Sequence, residues 1–192
     1  MAVAAAASAA LISSLAYAQS SRQNDEQSYA AMQDRTVKAL SDQQIADLRA
    51  GAGMGLALPA ELNGYPGPRH VLEHADELGL SPEQRERTKL LQARMRAEAV
   101  RLGEVLIRQE GDLDRLFASR AVSPASLESA TTAIGSTQAR LRAAHLRTHI
   151  SMMDVLTPGQ VRRYAELRGY GPGTPASREQ QDHSHHGGRE HH

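Results

Sequence analysis

Three helix starts built from the same chemistry divide this chain. Ser81-Pro82-Glu83-Gln84 supplies a hydroxyl N-cap, a proline at the first helical position and a glutamine that can close a capping box. Ser123-Pro124 repeats the cap and the proline, and Thr157-Pro158-Gly159-Gln160 repeats all of it. Proline is tolerated there because the first turn has no intrahelical use for its N–H. These starts predict helical stretches over about 68–78, 82–119, 124–155 and 158–168. Gly79 and Gly169 fall where helix C-termini want a left-handed residue.

The two long stretches are amphipathic. Leu90, Leu91, Met95, Leu102, Val105, Leu106, Leu113, Leu116 and Phe117 recur at helical spacing in the first, and Leu127, Ile134, Leu141, Leu146, Ile150 and Met153 in the second. A helix of about 38 residues is roughly 57 Å long at 1.5 Å per residue and cannot bury its stripe alone. The short link around Ser123 folds one stretch against the other. The expected fold class is all-α: an elongated antiparallel helical hairpin of four core helices, braced by short ones and thin enough to form a homodimer. Aromatic residues at 3% suit a bundle rich in Ala, Leu, Arg and Glu.

Composition removes several function classes. The 22 basic and 22 acidic residues cancel, so no whole-chain field attracts nucleic acid or an anionic membrane. The absence of Cys excludes disulfides, thiolate metal sites and a thiol nucleophile. Residues 1–18 read as a secretory signal: Ala2 to Leu15 is uncharged, too short for a span of about 20 residues, and Ala16-Tyr17-Ala18 is a small-x-small cleavage pattern. No Lys or Arg precedes that run, as a signal usually has. The expectation is export to the periplasm with cleavage after Ala18 and no membrane span in the mature chain. Residues 19–65 are expected to hold a linker and short interrupted helices, with a capping box at Ser41 and Gln44. Gly51-Ala52-Gly53-Met54-Gly55 lacks the preceding strand and following Lys of a phosphate loop, and reads as a breaker. Residues 66–170 form the expected helical domain, and 171–192 a disordered His-rich tail.

Leu80-Ser81-Pro82-Glu83-Gln84 and Leu156-Thr157-Pro158-Gly159-Gln160 are two LTPxQ-type elements flanking a long hairpin. The arrangement resembles the Spy/CpxP, or LTXXQ, family of periplasmic stress proteins over about residues 66–170. The second copy matches fully, and the first has Ser for Thr, which caps equally well. Leu80, Ser81, Pro82, Gln84, Leu156, Thr157, Pro158 and Gln160 carry the motif as helix caps. The resemblance implies ATP-independent chaperones that hold unfolded envelope proteins, partners of a stress-sensor protein, or heavy-metal-resistance and sensor relatives.

Histidine placement bears on the last of these. His70 and His74 are four apart, as are His145 and His149, with Met153 four further on. Imidazole suits zinc, nickel and cobalt, and a thioether suits softer ions. The tail adds His183, His185, His186, His191 and His192. Zinc, nickel or cobalt are therefore the candidate metals, as accessories and not as a required cofactor. The resemblance implies an HxxxH ahead of the hairpin in nickel and cobalt sensors, which His70 and His74 match. The implied carboxylate position falls near Gln92, and the implied His position falls on Thr148 with His149 one residue off, so the full sensor site is not carried over. Structural alternatives stand beside each pair: a solvent-facing or inter-subunit pair for His70 and His74, and a polar seam between the long helices for His145 and His149. No convergent acid, base and nucleophile set is visible, so the expected activity is binding and not catalysis. The function so read is a periplasmic chaperone or envelope-stress protein with accessory metal binding, or alternatively a periplasmic heavy-metal sensor.

Overall fold

A computed structural model of the protein describes residues 29–170. The helices are α1 (Asp42–Ala50), α2 (Leu58–Glu61), α3 (Pro68–Glu73), α4 (Pro82–Ala118), α5 (Pro124–Met152) and α6 (Pro158–Leu167), and the described residues contain no strand. The protein is all-α with two long helices. The expected signal segment and the His-rich tail lie outside the described residues.

The caps account for the helix starts. Ser41, Ser81, Ser123 and Thr157 each accept the N–H three residues on, and Gln44, Gln84, Ser126 and Gln160 return a side-chain bond to the cap backbone. At Ser123 a serine does the work that glutamine does elsewhere. Gly51, Gly79 and Gly169 end their segments with φ of 65°, 59° and 72°, where a side chain would be strained. The segment predicted helical to 78 stops at Glu73: His74 leaves the helical region with φ −105° and ψ 24°, and hydrogen-bonded turns carry the chain to Gly79. Helix α5 likewise ends at Met152, three residues early, so that the chain can turn into the Thr157 cap.

Helices α4 and α5 pack along each other in opposite directions: Gln84 reaches Val155, whereas Glu98, further along α4, meets Arg147, further back on α5. Two hydrophobic clusters form on this pair. Leu102, Leu106 and Ile107 of α4 and Ile134 and Leu141 of α5 pack with Val37, Leu40, Ile45 and Leu48. The segment ahead of residue 66 thus contributes to the main core. Val71, Ala75, Leu78 and Leu80 pack with Met152, Val155, Leu156 and Tyr164 at the other end. Each fully buried aliphatic side chain contributes about 1.5–3 kcal/mol.

Helix α1 lies against α4 at one point of very close approach. A Cβ on Gly103 would stand 2.5 Å from Leu48 O, so only glycine fits. The stripe predicted along the long helices is covered only in part. Leu102 and Leu141 are buried, whereas Leu90, Phe117, Leu127, Ile150 and Met153 are exposed. The neighbouring helix covers a narrower band than the apolar residues occupy. No helix among the described residues is long and apolar enough to cross a membrane.

Candidate functional site

The turn Tyr65-Pro66-Gly67-Pro68 brings the end of α2 under α5 and α6. Glu61, the last residue of α2, is 7% exposed. A buried carboxylate is costly unless it is hydrogen-bonded or paired, and four side chains answer that need. Tyr164 Oη donates to Glu61 Oε1 through a very short bond, Tyr170 Oη donates at 3.2 Å, and Arg168 Nε stands 3.5 Å away. The other oxygen, Oε2, is 3.7 Å from His149 Nδ1. Burial, and then the bond to Glu61, push the Tyr164 phenol above its ordinary range, so it stays a donor. Arg168 also donates to Tyr170 Oη at 3.1 Å, with its guanidinium 5.6 Å from the ring centre.

His149 Nδ1 lies 2.8 Å from Tyr65 O and donates to it, which fixes the ring. The Cε1–Nε2 edge of the ring lies against Gly67, where a Cβ would come within 2.8 Å of Cε1. His145, one turn earlier, is 4% exposed, and its Nε2 has no hydrogen-bonding partner among the described residues. Burial first, and then the neighbouring His149, lower its pKa below the ordinary 6.5, which favours the neutral ring. His70 is half-buried, with Nδ1 2.7 Å from Glu73 Oε2. That bond, seconded by Arg69, holds the Glu73 carboxyl below its usual range.

His70, His145 and His149 line one cleft of about 550 Å³ together with Glu61, Gln92, Met95, Arg69, Arg96, Arg168 and Tyr170. The cleft lies where the two cores meet, since Met95 packs on one and Tyr170 on the other. Its outer wall is the segment from Ala50 to Leu58, the glycine-rich stretch read from sequence as a breaker.

Of the predicted ligands, His74 lies outside this cleft, because α3 ends at Glu73, and its Nδ1 faces Glu77 at 3.8 Å. Met153 is exposed and also outside it. Thr148 is buried, with Oγ1 bonded to Ala144 O at 3.0 Å. His183, His185, His186, His191 and His192 lie outside the described residues. Among the described residues no three His, Asp or Glu side chains stand close enough together to hold a metal ion. The imidazoles sharing the cleft are donors of a suitable kind without a preassembled shell.

Glu61, Tyr164, Arg168 and Tyr170 were not singled out by sequence reasoning. The one local signal was a glutamate inside the apolar run Leu58-Pro59-Ala60-Glu61-Leu62. No protein-family model matches the chain, and no curated protein or solved structure matches it.

Proposed function

We propose that this chain is an exported, non-catalytic binding protein of the Spy/CpxP type, acting as an ATP-independent chaperone in the periplasmic stress response, and working as a homodimer. The observation that carries the reading is the set of apolar side chains left bare along a rigid helix pair. Leu90, Phe117 and Ile150 are each more than half exposed, at 55%, 54% and 59%, on helices held by two interlocked LTPxQ-type caps. Exposed apolar side chains on a stiff frame suit the transient holding of unfolded chains, whose own apolar residues are uncovered. Purified protein mixed with an aggregating client, without ATP, tests this. Stoichiometric protein should suppress light scattering, and Leu90→Ser with Phe117→Ser and Ile150→Ser should reduce the suppression. No suppression by the unmodified protein refutes the reading.

A second reading, a periplasmic sensor or buffer for zinc, nickel or cobalt, is favoured by the three imidazoles around one cleft. His149 donates Nδ1 to a backbone carbonyl, the orientation that metal-bound histidines commonly take. His70 likewise gives Nδ1 to Glu73 Oε2, which leaves Nε2 as its ligand atom. Calorimetry with each metal on the unmodified chain and on His70→Ala with His145→Ala separates the cleft from the tail: heat unchanged by the substitutions places binding outside the cleft.

A further inference from the structure

The side chains lining the cleft between the two cores carry more positive than negative charge, Arg69, Arg96 and Arg168 against Glu61. The one carboxylate, Glu61, already accepts from Tyr164 and Tyr170 and stands beside Arg168 and His149. Arg96 gives Nε to Ala50 O at 3.0 Å and is paired with no carboxylate among the described residues. His145 is nine-tenths buried and more, lines the cleft, and leaves Nε2 without a partner. A lining of net positive charge, with one buried polar nitrogen left unpaired, favours an anionic occupant rich in hydrogen-bond acceptors. The remaining lining, from Met95, Pro68 and Leu58, is apolar. A volume of about 550 Å³ falls within the range of small-molecule pockets.

We infer that this cleft binds a small organic carboxylate, its head taken by Arg96 and His145 and its apolar body laid against Met95. A planar carboxylate matches the guanidinium fork, and it accepts from His145 when the ring carries its proton on Nε2. Arg69, at the rim and paired with Glu73 at 3.0 Å, adds field at the mouth. The inference is independent of the chaperone reading and requires no metal.

The test is titration of the full chain with benzoate, succinate and acetate, with benzylamine as a cationic probe of similar size, in the presence of a chelator. Binding is read by calorimetry and by the His145 ring signals in nitrogen-15 NMR. Benzoate should bind saturably with a Kd of about 1 mM or tighter and move the His145 ring resonances, and benzylamine should do neither. Arg96→Gln should weaken benzoate binding about tenfold, the effect of one lost charge-assisted hydrogen bond. Because Arg96 also holds Ala50, Arg69→Gln is the companion variant: it leaves the loop bond intact and should weaken binding by a smaller factor. Arg162→Gln, away from the cleft, should leave binding unchanged. Absence of saturable binding by any carboxylate, equal binding of benzylamine, or binding that leaves the His145 signals unmoved overturns the inference.

Discussion

The side-chain amides of Gln84 and Gln160 are bonded to each other in both directions, Gln84 Nε2 to Gln160 Oε1 at 2.8 Å and Gln160 Nε2 to Gln84 Oε1 at 3.0 Å. Each oxygen also accepts the N–H of its own helix cap, from Ser81 at 3.0 Å and Thr157 at 2.9 Å. Each nitrogen also donates across the interface, to Val155 O at 2.8 Å and Leu78 O at 3.2 Å. Both amides are thereby fully used. Two motifs that look in sequence like independent caps form one polar clasp that joins the starts of α4 and α6.

Removing half of this clasp leaves the other half unpaired in a part-buried setting. Gln160→Ala is expected to lower stability by about 1–3 kcal/mol, from a lost cap and stranded partners. Gln84→Ala should cost a similar amount, and the double variant less than the sum, with a coupling of about 0.5–3 kcal/mol. Urea unfolding of the four proteins measures this; strict additivity would show that the two amides do not cooperate.

Two glycines within the long helices should respond to alanine with opposite signs. At Gly103 the new Cβ would meet Leu48 O at 2.5 Å, a backbone atom that cannot rotate away, and overpacking of this kind costs about 1–3 kcal/mol. At Gly135 nothing lies within 4 Å of the added Cβ, so alanine gains about 1 kcal/mol of helix propensity. Thermal unfolding should place Gly103→Ala below, and Gly135→Ala above, the unmodified protein.

What could be read from sequence here was local, and what could not was long-range. The four caps and the left-handed Gly79 and Gly169 were legible because each depends on residues within three or four positions. Periodicity identified Leu102, Leu106, Ile134 and Leu141 as core, yet ranked Phe117 and Ile150 beside them, although both are exposed. Spacing gives the direction of a side chain but not whether another helix lies in that direction. Spacing placed His70 and His74 on one helix face for a related reason: it supposes a continuous helix, whereas His74 leaves the helical region and only His70 lines the cleft. The Glu61 network was invisible because Tyr164 and Tyr170 are more than a hundred positions away and carry no local mark.

Glu61 itself should be among the costliest residues to replace. Glu61→Ala strands Arg168, Tyr164 and Tyr170 together and is expected to destabilise by about 3–5 kcal/mol. Tyr164→Phe removes a single donor and keeps the ring, so about 1–3 kcal/mol is expected. Denaturant unfolding orders the two; a Tyr164→Phe loss equal to that of Glu61→Ala would mean that the network acts only through that one bond.

Acid should weaken the fold through His145. Its folded pKa is depressed below 6.5 by burial and by His149, whereas the unfolded ring titrates near the ordinary value of about 6.5. Below that pH the unfolded chain takes up a proton that the folded chain resists, so unfolding gains free energy. The contribution is therefore fully present above about 6.5, and it is lost progressively as pH falls toward and through the lower folded pKa. His145→Leu removes the titrating ring at similar volume and should flatten this limb without changing the carboxylate limb at lower pH. The check is unfolding free energy measured from pH 8 to pH 4 for both proteins. Parallel curves between pH 7 and pH 5 would show that His145 is not the group whose protonation opposes folding.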